Sequence, residues 1–438
     1  MKMKLFFFIF IFAEISAQQV KWIDRNDLDF LEKMAKDVTD SARIYPGQRI
    51  SSNFGPNNTG GTLIRPGGRN SYPAFWIRDY AMSLDGGFVT QKEQLHLLLL
   101  TAATQSDHFQ TTKWGTFIPK GAIADHIRID DSKPIYFPGT YDFEEQGEPK
   151  WGKQPPFCDA FYFIHMVWYY AIHEKNESIL VQKVDGVSIL ERLEWAFNSV
   201  PSAAHSPLVS VQEENRGVDF GFRDAIYMTG DLCFPSILKY QAAKELAEIF
   251  QKVGQQNRYA HFKNCAKNLK NLIPATFLTR SGLLKASTGI SGQNDVWSTS
   301  FAAYLGILTN QQTEKASLAL NEAYLKGNLS WKGNIRHVLK SDDFDATNAW
   351  ERSLVKKDTY QNGAYWGTPV GWVAQLMAKT QIPNARKLVK EYIMELREGD
   401  FRKGVQYGSP WECFNGNSQQ NSVYMTSILC PLIVFKSN

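Results

Sequence analysis

Ten stretches of this chain repeat one pattern: an apolar face recurring at the 3.6-residue period, followed by a loop rich in Gly, Trp, Asp or Pro. "DRNDLDFLEKMAKDVTDSA" sets Leu28, Leu31, Met34 and Val38 on one face, behind an expected Asp27 cap. "QKEQLHLLLLTAATQS" continues the pattern. "PPFCDAFYFIHMVWYYAIHE" opens with Pro155 and Pro156 and is apolar on nearly every face, as a helix buried on both sides should be. "FPSILKYQAAKELAEIFQKVG" turns Leu238, Ala242, Leu246 and Ile249 inward and ends at Gly254. Further helical spans are expected near 257–272, 294–308, 312–325, 364–379, 383–397 and 419–434. Alternating strand patterns are scarce, and no Pro/Gly/Ser linker or charge block divides the chain. These features predict a mostly α-helical protein of about a dozen helices with long loops between them.

Two ends of the composition narrow the class. A net charge of +4, with no Lys/Arg run, leaves no nucleic-acid footprint. The 12 Trp, 18 Tyr and 28 Phe are an above-ordinary count; much of it is expected in the core, but carbohydrate sites also use flat apolar rings with polar edges. The start, "MKMKLFFFIFIFAEISAQQ", reads as a secretory signal over residues 1–17: Lys2 and Lys4, then an apolar run, then Ala17. That run is too short to span a bilayer and no later one is long enough either, so the expected product is a secreted or periplasmic domain over 18–438, with no membrane partner. Five cysteines without CxxC spacing are too few for a disulfide scaffold; one pair is able to form after export, with at least one thiol left over. There is no HExxH, P-loop or GxSxG, "DDFDATNAWE" lacks the glycine and spacing of a calcium hand, and no cofactor or metal is expected.

The chemistry concentrates in loops. "YPAFWIRDYAMSLDGG" sets Trp76, Arg78 and Asp79 among apolar residues, where charges are costly unless paired or in use. Neighbouring residues on a helix point about 100° apart, so Arg78 and Asp79 are each expected to need a separate partner. "EENRGVDFGFRDAIYMTGD" holds Asp219 and Asp224, with Asp231 reading as a cap for the next helix. "YGSPWECFNG" places Glu412 after Trp411, and "YQNGAYWGTPVGW" adds Tyr365 and Trp366. The loop 125–156 is far longer than a helix connection needs and is rich in aromatics and acids. His165, alone in an apolar helix, reads as a core histidine. Two carboxyls in an aromatic, partly dry pocket suit glycoside hydrolysis, one protonated to serve the leaving oxygen and one ionised to activate water or attack.

"FWIRDYAMSL", "GVDFGFRDAIYMTGDLCFPSILKYQAAKELAEI", "YQNGAYWGTPVGW" and "PWECFN", in that order, resemble the six-hairpin glycosidases. These are the (α/α)6-barrel enzymes related to glucoamylases, trehalases and processing α-glucosidases. The resemblance runs over nearly all of 18–438. It implies an (α/α)6 toroid with its site at one end, and an inverting exo-hydrolase acting on the non-reducing end of an α-linked oligosaccharide or glycan. It also implies that Trp76, Arg78 and Asp79 line the terminal-sugar subsite. "ENRGVD" stands where the proton-donor motif is expected, pointing to Asp219, with Asp224 the alternative, and Glu412 matches the general base. Tyr365, Trp366 and Trp411 are expected on the carbohydrate surface. The competing readings are a non-catalytic secreted glycan-binding protein and a sugar epimerase or polysaccharide lyase on the same fold.

Overall fold

The computed structural model describes residues 22–69, 71–416 and 418–437, so the expected signal segment lies outside the described residues. Twelve α-helices are present among them: α1 (Arg25–Ala42), α2 (Ile77–Ser83), α3 (Gln91–Ala103), α4 (Cys158–Trp168), α5 (Ile189–Ser199), α6 (Cys233–Lys252), α7 (Gln256–Phe277), α8 (Val296–Tyr304), α9 (Asn310–Leu325), α10 (Val370–Ala378), α11 (Ile382–Glu398) and α12 (Thr426–Lys436). The even-numbered helices pack in a cycle: α2 on α4, α4 on α6, α6 on α8, α8 on α10, α10 on α12, and α12 back on α2. The odd-numbered ones lie against them, α1 on α12, α3 on α4, α5 on α4 and α6, α7 on α6, and α9 and α11 on α10.

Sequence character follows position. α4 and α12 are buried along almost their whole length, whereas α1 and α11 bury one stripe each. Capping boxes start α3 at Thr90–Glu93, α5 at Ser188–Glu191 and α9 at Thr309–Gln312, which fixes the entry of three odd-numbered helices. Buried apolar side chains from Trp22 to Phe435 form one contiguous core cluster. No helix among the described residues is long and apolar enough to cross a membrane.

Several local expectations need correcting. The cap of α1 is Asp24, whose carboxylate accepts from the Asp27 amide at 2.9 Å. Asp231 caps nothing: it sits in a two-residue strand against Ser210, and Leu232 holds the N-cap position of α6. The expected span 364–379 begins as a strand, Tyr365–Trp366, and the span 419–434 begins in the strand Ser418–Ser422. Helices α2 and α5 have no counterpart among the expected spans; α2 is only seven residues long, while α5 does carry an apolar stripe that the expected spans missed. The five cysteines are unpaired thiols, four of them buried.

Short strands shape the loops. Ala74–Trp76 pairs antiparallel with His126–Arg128, which pairs with Pro134–Ile135, so the long loop 125–156 is laced to the entry of α2. A five-stranded antiparallel sheet runs in the order Ser330–Trp331, Asn334–Ile335, Tyr365–Trp366, Trp411–Asn415 and Ser418–Ser422. These loop sheets lead into the N-termini of α2, α10 and α12.

Candidate active site

Residues at the entries of α2 and α12, together with loop and strand residues from the segments that precede α4, α6, α10 and α12, meet in a cavity of about 260 Å³. The cavity is lined by Tyr72, Trp76, Arg78, Asp79, Asp125, His126, Asp224, Tyr360, Glu412 and Tyr424, and Pro138–Tyr141 of the long loop borders it.

At α2 the chain passes from strand to helix without a linker, Trp76 serving as N-cap. Arg78 and Asp79 therefore emerge in the first turn, beside the cavity. Arg78 is held by carboxylates from three elements: Asp125 at 3.1 Å, Asp79 at 3.6 Å and Asp159 at 3.9 Å. Arg78 and Asp79 thus do pair, correcting the expectation, although at 3.6 Å the contact is ionic and not a hydrogen bond. Gly221 is what lets the guanidinium in, since a Cβ there would lie 1.6 Å from Nη1. Asp79 accepts from the Tyr424 hydroxyl at 2.6 Å through Oδ1, while its buried Oδ2 has no hydrogen-bond donor. Burial pushes the Asp79 carboxyl up in spite of Arg78. Trp76 stacks on His126 at 4.3 Å, and Asp125 bonds His126 Nδ1 at 2.8 Å, which leaves the buried Nε2 unpartnered.

Asp224 follows the short 3-10 turn Gly221–Arg223. Burial raises its carboxyl to about 6, although Arg78 and a Gln361 bond oppose this, and its Oδ1 has no partner. Glu412 lies in the strand Trp411–Asn415 and is 2% exposed. Its Oε2 accepts from the Tyr72 hydroxyl at 2.8 Å and from the Asn421 amide. Burial lifts Glu412 to about 7, with Asp79 and Asp224 adding to the rise. Tyr72, Tyr360 and Asn421 all have positive φ, at 53°, 43° and 41°. Such backbone costs about 1–3 kcal/mol per non-glycine residue and gathers at functional sites. Here it surrounds Glu412.

The cavity brings together Trp76, Arg78, Asp79, Asp224 and Glu412. It leaves out four other expected residues. Asp219 is 1% exposed and turned into the core, bonded at 2.5 Å to Arg223, which also pairs with Asp295. The reason is the i,i+4 geometry of Asp219 and Arg223, which ties Asp219 to a fully buried cation. Trp366 is wholly buried, edge-on to Trp297 and Phe222. Tyr365, its strand neighbour, packs beside Trp331, because successive strand residues face opposite sides. Trp411 packs over Gly408, where a Cβ would meet the indole at 2.2 Å. The residues not foreseen are Tyr72, Asp125, His126, Tyr360 and Tyr424. Tyr72, Tyr360 and the Asp125–His126 pair stand inside the stretches read as functional, whereas Tyr424 sits in a helix-entry segment without a distinguishing signal.

No family model matches the sequence, and no curated protein does. Solved structures do resemble it. A rhamnosidase from Klebsiella oxytoca with rhamnose bound aligns over 95% of this chain with a TM-score of 0.55 and 9% identity. The chain spans 64% of that enzyme's length. An uncharacterized conserved protein from Thermus thermophilus aligns over 93% of this chain and all of its own, with a TM-score of 0.54 and 11% identity. A metal-independent α-mannosidase from Streptococcus pneumoniae, in complex with α-1,6-mannobiose, aligns over 95% of both chains with a TM-score of 0.54 and 12% identity. At these identities the likeness is one of fold.

Proposed function

We propose that this chain is an inverting exo-glycoside hydrolase that removes a neutral terminal sugar from an α-linked oligosaccharide or glycan. It acts as one (α/α)6-toroid domain, exported after loss of residues 1–17. The cyclic packing of the even-numbered helices and the single core cluster support the toroid and the single domain. Two of the solved structures of this fold are glycosidases, one holding rhamnose and one mannobiose.

One observation carries the reading: two carboxyls from different loops, both raised toward neutrality by burial, face the same small aromatic cavity. The hydrogen bonds divide their roles. Glu412 Oε2 receives two donors, which favours its ionised form, so Glu412 is the base that takes a proton from water. Asp224 Oδ1 faces no donor and suits a protonated acid. By carboxyl values alone Glu412, at about 7, would hold the proton before Asp224, at about 6. What supports the assignment is the local geometry: Glu412 gathers two donors on one oxygen, whereas Asp224 keeps a buried oxygen with no donor. In the reaction Asp224 gives its proton to the glycosidic oxygen, the C–O bond breaks, and water attacks the anomeric carbon from the opposite face as Glu412 removes its proton. Asp79 Oδ2 accepts from a sugar hydroxyl, and Trp76 forms part of the wall.

Charge selects the sugar class. Asp79, Asp125, Asp224 and Glu412 line the cavity, and Arg78, the one arginine lining it among the described residues, already shares its charge with Asp79, Asp125 and Asp159. A uronate would enter without a free cation, which disfavours a polysaccharide lyase. An epimerase using tyrosine as base is disfavoured too, since burial and nearby carboxylates push Tyr72 and Tyr424 up. Hydrolysis of aryl α-glycosides and α-linked disaccharides by purified protein tests the proposal. Binding across that panel without turnover would assign the glycan-binding alternative.

A further inference from the structure

A second cavity, of about 250 Å³, opens among the six even-numbered helices. It shares no lining residue with the first. Its charged wall is built from three elements. His165 of α4 is held between Asp85, at 2.9 Å from Nε2, and Glu245 of α6, at 2.7 Å from Nδ1. Burial alone would depress this imidazole, but the two carboxylates raise it well above its ordinary value, so it is an imidazolium at neutral pH. Gln241 also donates to Glu245 Oε1, at 2.9 Å. That leaves Glu245 Oε2 buried without a partner on a side chain 7% exposed. The Asp85 side chain is 39% exposed. Lys244 and Glu248 at the rim add one charge of each sign without an ion pair between them, and Trp168 donates to Glu248 at 2.7 Å.

The wall thus has one carboxylate charge in excess and one buried acceptor unused. The remaining lining is apolar or aromatic, including Met82, Phe301, Tyr304 and Trp372. A neutral sugar needs polar partners around its whole ring, and here they stand on one side only. An anion meets two carboxylates. A protonated amine on a flat apolar body satisfies both halves: its N–H groups supply the missing donors, its charge balances the excess, and the rings cover its body. The α4 helix also widens into a π-turn over Tyr169–His173 beside this cavity, a distortion frequent at functional sites.

We propose that this second cavity is a binding site for a small organic ammonium ion, paired by Glu245 and Asp85 and flanked by aromatic side chains. Calorimetric titration of the full chain at pH 7 with benzylamine, benzyl alcohol and benzoate tests it. Benzylamine should bind at least about tenfold more tightly than its neutral isostere, and benzoate not at all. Glu245→Gln should bring benzylamine down to the level of the alcohol; if that variant does not fold, Asp85→Asn, at the more exposed position, should weaken benzylamine selectively. Asp224→Asn and Glu412→Gln should leave this binding unchanged, and the indole resonances of Trp168 and Trp372 should shift on titration. Equal binding of amine and alcohol would overturn the proposal. So would loss of amine binding in the Asp224 or Glu412 variants, which would place the amine in the first cavity.

Discussion

Replacing Glu412 with Gln separates two consequences of one buried carboxyl. The amide keeps an oxygen able to accept from Tyr72 and Asn421, so the bonds that hold the side chain survive. What disappears is the charge. In the fold this carboxyl titrates at about 7, against an ordinary 4.5. The folded protein therefore binds more protons than the unfolded chain between those values, and its stability falls as pH rises through them. Above pH 7 the full penalty is present, about 3 kcal/mol at 1.36 kcal/mol per tenfold; below 4.5 it vanishes. Unfolding entropy of about 2.1 cal/mol/K per residue over 438 residues turns 3 kcal/mol into a Tm gain of about 3–4 °C. Glu412→Gln should therefore melt about 3–4 °C above wild type at pH 8.5 and together with it at pH 4. Its turnover should drop about 10²–10⁴-fold, the loss expected of a general base. Melting curves across that pH range, beside kcat on an aryl α-glycoside, make the measurement. A folded variant with wild-type turnover would remove Glu412 from the chemistry. A lower Tm at pH 8.5 would mean that its negative charge stabilises the fold, and the reasoning from burial would be wrong.

The other expectations use the same site. Asp224→Asn should lose activity on poor leaving groups and recover much of it on dinitrophenyl glycosides, which need little protonation; Asp219→Asn should show no such pattern. Asp219→Asn should instead destabilise the fold by about 3–5 kcal/mol in denaturant unfolding, because Arg223 loses a buried ionic partner. The profile of kcat/KM should be a bell with limbs near pH 6 and 7, belonging to the Asp224–Glu412 pair jointly, and a flat profile across pH 5–8 would contradict it. Proton NMR of the first-formed product should show inverted anomeric configuration; retention would make one carboxylate a nucleophile. Asp79→Asn should reduce kcat/KM about ten- to a hundredfold on the natural substrate and less on one deoxygenated at the bonded hydroxyl. An equal loss on both would leave Asp79 as a structural partner of Tyr424 and Arg78.

Helical character was legible along most runs long enough to show their period, α5 being the exception. α1, α6 and α11 follow directly from their apolar stripes, while α2, seven residues long, has no room for one. Local composition also marked the loops: aromatics and carboxyls clustered at 72–87, 213–231 and 407–416. Which of Asp219 and Asp224 faces the cavity was not legible from composition, because both lie in one Gly- and Phe-rich segment. Tertiary structure decided it by placing Arg223 in the core, where the buried cation draws in Asp219 four residues back, while the following residue, Asp224, is left facing the cavity. The same holds for Tyr365, Trp366 and Trp411, whose rings mark a carbohydrate surface as readily as a core until strand pairing sets their faces. Arg78 shows the limit most directly. Its charge among aromatics signalled a use or a partner, but Asp125 and Asp159 lie 47 and 81 positions further on, and only packing brings them within ionic reach. Period and polarity are properties of neighbours along the chain; a carboxyl's ionisation depends on what surrounds it in space.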